Sequence, residues 1–267
     1  MDLNNVLKHV IEWATEAGRI QMDYFRKDTL IIESKSTQVD LVTEADKKSE
    51  TYILKAIKNT YPDHSILSEE TGVTENHSDY VWVVDPLDGT TNFAQGIPVF
   101  AVSIALKHKG KSIVGVVFNP VMNELFCATK GGGAYRNNQR IQVGKKTDLK
   151  SCVLASGFPY SRAKSSDNNA LHFGHMVPKV RGLRRLGAAA YDLANVAAGV
   201  MDGYWEMGLG DWDIAAGTLL VEEAGGVILE WQDKKSVAII AGNKNIAEKV
   251  KLELAYAEEK RCKFEDL

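Results

Sequence analysis

The sequence predicts an α+β chain in two halves, an α+β half with an antiparallel sheet followed by an α/β half with a mixed or parallel sheet. Three observations carry that reading. Residues 3–26 place Val6, Val10, Ala14 and Ala17 at helical spacing. From Tyr80 to Val143 the apolar period changes to two, with turn residues between the runs. From Ser151 onward strand-like and helix-like segments alternate, which suggests at least partly parallel pairing. A chain of 267 residues holds one large domain or two modest ones. The boundary between the halves is expected in GKKTDLK at 144–150, dividing 1–146 from 147–267.

Taken in order, the first amphipathic helix is followed by the polar stretch ESKSTQVDLVTEAD at 33–46. Thr43 then opens a second helix, and Asp46 three residues on resembles the partner in a capping box. Ile53, Ala56 and Ile57 face inward, and Pro62 marks the stop. The short apolar stretch of HSILSEET leads to Glu69 and Glu70, and the run YVWVV ends on Asp85. VFAVSIAL, SIVGVVF, ELFCAT and AYRNNQRIQV read as strands of an antiparallel meander, divided by HKGK, NPVMN, KGGG and NNQ. SCVLASG is a strand. GLRRLGAAAYDLANVAAGVMDGYWEM reads as strand, glycine turn, helix and strand. DWDIAAGTLLVEEAGG is a helix closed by Gly225 and Gly226. GGVILEW and VAIIAG are strands, and NIAEKVKLELAYAEE is the closing helix.

Composition narrows the function. With 45% hydrophobic and 25% charged residues the chain is an ordinary globular one, and its net charge of -3 with no basic stripe argues against nucleic acid as the main partner. No apolar stretch reaches the ~18 residues of a membrane span. The N-terminus MDLNNVLKHVIEW is amphipathic and not a signal peptide. Cys127, Cys152 and Cys262 are far apart and odd in number, which suits reduced thiols in the cytoplasm.

The chemistry concentrates in DPLDGTTNF at 85–93. Pro86 fixes its own φ and biases Asp85 toward extended backbone, so both aspartates are held on a rigid turn. Gly89 permits a tight turn, and Thr90 can begin a short helix whose N–H groups suit a phosphate. Read alone, the pair could simply be an Asp-capped turn. Asp213 could be a first-turn acid favoured by the helix dipole. Glu69, Asp85, Asp88 and Asp213 together suggest a metal cage drawn from distant segments. If they share one pocket at about 5 Å, each pair repels by roughly 3 kcal/mol at an effective dielectric of ~20. Six such pairs exceed a typical domain's whole margin, so the cluster needs protons, solvent or metal. Oxygen-only ligands suit Mg²⁺ rather than Zn²⁺. An EF-hand is excluded by Leu87 and Gly89 at its third and fifth positions. A haloacid-dehalogenase-type nucleophile is excluded by Pro86 where its first aspartate would stand.

DPLDGTTNF, WDIAAGTLLVEEAGG at 212–226, Asp46 in VTEADKKSE and RRLGAAAYDLANVAAGVMDGYWEMGLGDWD at 184–213 resemble the inositol monophosphatase family, over about residues 5 to 245. The resemblance implies a five-layered αβαβα sandwich, Mg²⁺ dependence with two or three ions, Li⁺ sensitivity and a homodimer acting on a small phosphorylated substrate. Carried over residue by residue, Glu69, Asp85 and the Leu87 carbonyl resemble the first metal's ligands. Asp85, Asp88 and Asp213 resemble the second's. Glu69, Asp46 and Thr90 resemble the group that activates the attacking water, for in-line hydrolysis without a phosphoenzyme. Asp88, Gly89, Thr90 and Asp213 would face the phosphate, and Ala189 and Glu206 the inositol hydroxyls. Lys35 matches a residue near a weaker third metal. Arg184 and Arg185 read as a solvated strand edge or as a means of steering phosphate. SGFPYSR around Gly157 departs from the animal enzymes, so a broad-specificity phosphatase for NADP(H) or fructose-1,6-bisphosphate is the alternative reading. A non-catalytic scaffold is disfavoured, because the acidic set is complete.

Overall fold

The computed structural model describes residues 1–27, 31–34, 41–165, 168–231 and 237–265. Helix α1 (Leu3–Tyr24) starts on Asp2, whose carboxylate accepts from the Asn4 amide at 3.0 Å. A two-stranded ribbon follows, β1 (Ile32–Ser34) antiparallel to β2 (Leu41–Thr43). Helix α2 (Glu44–Thr60) opens with the expected capping box between Thr43 and Asp46.

Next come β3 (Ser65–Ser68), β4 (Gly72–Thr74), β5 (Tyr80–Asp88), the single-turn helix α3 (Thr90–Ala94), β6 (Ala101–His108), β7 (Lys111–Asn119), β8 (Glu124–Thr129), β9 (Gly133–Arg136) and β10 (Gln139–Arg140). These strands form one eight-stranded sheet in the order β10-β9-β8-β7-β6-β5-β3-β4. From β5 to β10 it is the expected antiparallel meander. The last strand stops short of the expected RIQV: the Val143 amide donates to Ala224 O at 3.1 Å, so the chain leaves the sheet there. The connection β3–β5 is parallel, which the hydrophobic pattern did not reveal.

The second sheet has five strands in the order β12-β11-β13-β15-β14: β11 (Val153–Ser156), β12 (Gly182–Arg184), β13 (Gly203–Leu209), β14 (Val227–Glu230) and β15 (Val237–Gly242). β11 pairs parallel with β12 and β13, while β15 runs antiparallel to β13 and β14, so the sheet is mixed. Helices α4 (Ala170–Met176), α5 (Ala189–Ala197), α6 (Asp211–Glu223) and α7 (Lys244–Glu265) complete the chain.

Three apolar clusters fill the four spaces between five layers of structure. Val10, Trp13, Ile53 and Ile57 of α1 and α2 pack on Trp82, Ile104 and Val116 of the large sheet. The other face of that sheet, with Val83, Ala105 and Val117, packs on Leu193 and Leu220 of α5 and α6, which in turn cover Tyr204 and Ile239 of the small sheet. Leu154, Trp205 and Ile240 on the far face meet Val250 and Leu254 of α7. This is the αβαβα sandwich. Alternation along each strand sends successive residues to opposite layers, and the central pair α5 and α6 brings its N-termini to the end of β5.

Candidate active site

The site begins where the parallel pairing of β3 with β5 stops. Ser68, the last residue of β3, pairs with Val84 of β5, so Glu69 lies beside Asp85; β5 itself does not end at Asp85 as the sequence suggested but runs on to Asp88. The Glu69 amide donates to Val84 O at 3.1 Å, and the two carboxyl groups are hydrogen-bonded to each other. Burial, followed by the charges of Glu69, Asp88 and Asp213, pushes the Asp85 carboxyl well above the usual range. β5 then bulges: Asp85 lies opposite Ser103 and Asp88 opposite Ala101, one residue more on β5 than on β6. The bulge is pinned from inside. Leu87 N donates to Asp85 Oδ1 at 3.0 Å, Gln21 Nε2 of α1 donates to Pro86 O at 2.6 Å, and the Leu87 side chain is buried with Phe25, Phe93 and Phe100.

Gly89 caps α3 at φ +93°, and a Cβ there would stand 3.0 Å from Val99 O and 3.3 Å from Gly187 O. No other residue fits without strain. Thr90 Oγ1 lies 3.0 Å from Asp46 Oδ1 and 3.2 Å from Leu87 O. Asp46 is fully buried behind Thr90, where its Oδ2 accepts from Thr43 N at 2.8 Å and Thr43 Oγ1 at 2.5 Å. Burial raises its carboxyl to about 6 against the pull of those hydrogen bonds.

The α5 and α6 termini supply the opposite acids. Asp88 accepts from the amides of Ala189 (2.9 Å) and Tyr191 (3.1 Å) in the first turn of α5. Burial raises it to about 7 and the two amides hold it back. Asp213, third residue of α6, accepts from Gly210 N at 2.6 Å and is pushed well above the usual range, chiefly by burial. Glu206 on β13 accepts from the Tyr204 hydroxyl at 2.6 Å, and burial raises it to about 7.

These groups line a cleft of ≈ 270 Å³. By chemistry the lining divides in two, an acid wall of Glu69, Asp85, Asp88 and Asp213 with Gly89 and Thr90 beside them. Phe158, Pro159, Tyr160, Arg185 and Glu206 form the other, and Leu87 and Ala189 also border it. Every site residue expected from the sequence is therefore at the cleft except Asp46, which stands one layer behind through Thr90, and Lys35, which lies outside the described residues. Arg184 is exposed on the strand, whereas Arg185 turns into the cleft. The segment SGFPYSR, singled out for substrate contact, brings Phe158, Pro159 and Tyr160 to the cleft, and Trp212 lines it as well. Sequence reasoning gave no role to Asp192, a buried acid of α5 whose Oδ1 has no hydrogen-bond partner. The only signal for Asp192 was an acid inside an otherwise apolar helix face. A larger groove of ≈ 750 Å³ runs beside α6, but its Asp211 and Glu223 are committed to Lys107 and to the amides of Gly131 and Gly133.

The donor set fits a hard cation: oxygen only, largely buried and mutually repelling, with burial and the neighbouring acids pushing the Asp85 carboxyl well above its usual range. Among the described residues no three acids yet close on a single point, because Asp88 and Asp213 are turned onto backbone amides.

The profile of the inositol monophosphatase family matches residues 2–261. The chain belongs to the inositol monophosphatase family. It is a phosphatase, and the family is one of metal-dependent phosphatases. A relative named inositol-1-monophosphatase, from Mesorhizobium japonicum, is 41% identical over 247 residues, covering 90% of this chain and 92% of the relative. A relative named Nus factor SuhB, from Pasteurella multocida, is 46% identical over 231 residues, 86% of each chain. The solved inositol monophosphatase of Anabaena (Nostoc) superposes with a TM-score of 0.86 at 38% identity, covering 96% of this chain and 97% of that one. In this member of the inositol monophosphatase family DPLDGTTNF is joined to the 184–213 segment by the hydrogen bonds that Asp88 accepts from Ala189 and Tyr191, and Asp213 lines the same cleft.

Proposed function

We propose that this phosphatase hydrolyses inositol monophosphate with Mg²⁺, by direct attack of water and without a phosphoenzyme. The observation that carries the reading is the convergence of Glu69, Asp85, Asp88 and Asp213 on one small cleft that Glu206 also lines. At ≈ 270 Å³ the cleft is just below the roughly 300–1,000 Å³ of drug-sized ligand sites, which suits a polyol monophosphate better than a dinucleotide. The name of the Mesorhizobium relative supports the same substrate.

Glu69, Asp85 and the Leu87 carbonyl would hold one ion, and Asp85, Asp88 and Asp213 a second. The bound Mg²⁺ supplies charge neutralisation and an acidified water. Thr90 donates its hydroxyl hydrogen bond to Asp46 Oδ1 and so turns its lone pairs to the cleft, where with Glu69 it orients the attacking water. The amides of Gly89 and Thr90 bind the phosphate, and the Ala189 and Glu206 positions bind the ring hydroxyls. Arg185 adds a positive charge at the rim. Li⁺ sensitivity, a cytoplasmic homodimer and a division of the chain at 146/147 belong to the same reading.

The test is phosphate release from inositol-1-phosphate, NADP, fructose-1,6-bisphosphate and 3′-phosphoadenosine 5′-phosphate, with and without Mg²⁺ and Li⁺. Mg²⁺-dependent, Li⁺-inhibited release with inositol-1-phosphate preferred is the expected result. A strong preference for a nucleotide overturns the substrate, and turnover in chelator overturns the metal.

A further inference from the structure

Ser103, Ala105 and Lys107 alternate onto the face of β6 that covers α6, and they lie opposite Asp85, Val83 and Val81 of β5. At Lys107 the register with β7 breaks: Leu106 pairs with Val114 but Lys107 with Ser112, leaving Ile113 as the extra residue. Bulges of this kind re-aim side chains. Here Lys107 and Ser112 both point at the start of α6. Ser112 Oγ donates to Ala215 O at 2.8 Å, and Lys107 Nζ binds both carboxylate oxygens of Asp211. Ser103 Oγ reaches Trp212 O at 3.5 Å. The Lys107 side chain is only 17% exposed, an arrangement lysine tolerates when it is paired.

Asp211 and Asp213 are the first and third residues of α6. At about 100° per residue they point to nearly opposite sides of the helix, Asp211 to the sheet and Asp213 to the cleft. A roll of the first turn fixed at one is therefore fixed at the other. We propose that Lys107 is a positioning residue: by clamping Asp211 it sets the roll of α6 and thereby holds the Asp213 carboxylate against Asp85 and Asp88. This rests on the reading of Asp213 as a metal ligand.

The experiment follows the midpoint of Mg²⁺-induced thermal stabilisation, alongside the Mg²⁺ dependence of phosphate release, in the wild type, Lys107→Met, Lys107→Arg and Asp213→Asn. Lys107→Met should fold, as judged by circular dichroism. Both of its Mg²⁺ midpoints should rise about tenfold, the usual scale for groups that orient a ligand. Lys107→Arg should recover most of that loss. A wild-type Mg²⁺ midpoint in Lys107→Met, or an arginine variant no better than the methionine one, overturns the proposal. If Lys107→Met does not fold, the double variant K107M/D211N, which leaves no charge unpaired, is read by the same criterion. Asp213→Asn separates the two levels: undiminished stabilisation by Mg²⁺ in that variant means that the metal-site reading has failed, whatever Lys107 does.

Discussion

On one wall of the cleft, Asp85, Asp88 and Thr90 lie within a single turn of chain, each bound to a backbone amide or a buried carboxylate. On the other wall, Gly157, Arg185 and Glu206 come from three separate elements, and Glu206 occupies the space that a side chain at Gly157 would need. The first wall is held by backbone hydrogen bonds and crowds acids whose charge burial and mutual repulsion disfavour. The second is shaped by gaps, with a single strong hydrogen bond from Tyr204. Chemistry common to a family needs the first kind of construction, whereas choice of substrate can be tuned through the second.

The largest effect should come from the rigid wall. Asp88→Asn keeps the side chain's shape but removes its charge and one of the two acceptors for the α5 amides. Turnover should fall roughly 10²-fold or more, the scale of losing one preorganised electrostatic group, while circular dichroism shows the fold intact. Near-normal turnover would break the contrast between the walls at its root.

Protons offer a second test. Asp46 is raised to about 6, and Asp88 to about 7, against 3.8 for an ordinary aspartate. Glu206 is raised to about 7 against 4.5. These folded values exceed the unfolded ones, so between pH ~4 and ~7 the folded state binds more protons and metal-free stability falls as pH rises. A tenfold change in a carboxyl's acidity corresponds to about 1.4 kcal/mol, so even a strongly discounted sum amounts to several degrees in Tm. Calorimetry in chelator should show Tm highest near pH 5 and lower at pH 8. Mg²⁺ should close the gap by raising Tm more at pH 8. A chelated protein more stable at pH 8 than at pH 5 would mean that the acid wall is not under strain.

The same contrast decides what the sequence could reveal. DPLDGTTNF is legible because proline, paired aspartates and glycine cap are contiguous, and the capping box at Thr43 and Asp46 is local as well, but the strand expected to end at Asp85 bulges and continues to Asp88. The parallel partnership of β3 with β5 was not visible, since a four-residue strand has too little pattern to declare its neighbour. SGFPYSR drew notice as a segment, but what Phe158–Tyr160 contact was not visible, because loop residues acquire their meaning from what packs opposite them. Asp192 was hidden by its surroundings, a lone acid in a helix that otherwise reads as core.

Gly157→Ala probes the gap-built wall directly. The new methyl would stand 2.1 Å from both Glu206 carboxylate oxygens. The flexible end of Glu206 can move aside, so the protein should stay folded. KM should rise about tenfold, some 1.4 kcal/mol of binding, with kcat within about twofold because the acid wall is untouched. A collapse of kcat would show that the two walls are not separable.

Tyr204→Phe should have the smallest effect, and it sharpens the comparison most finely. The Tyr204 hydroxyl donates to Glu206 Oε2 and, after burial, is the main influence on that carboxyl, favouring its charged form. Without the hydroxyl, Glu206 should titrate above its present value of about 7. A net hydrogen bond of about 1 kcal/mol corresponds to roughly fivefold. KM at pH 7 should therefore rise by that order and return toward the wild-type value near pH 9, with kcat flat across the range. A KM that rises equally at both pH values would mean that Tyr204 only supports the shape of the wall, and that the charge of Glu206 plays no part in holding the substrate.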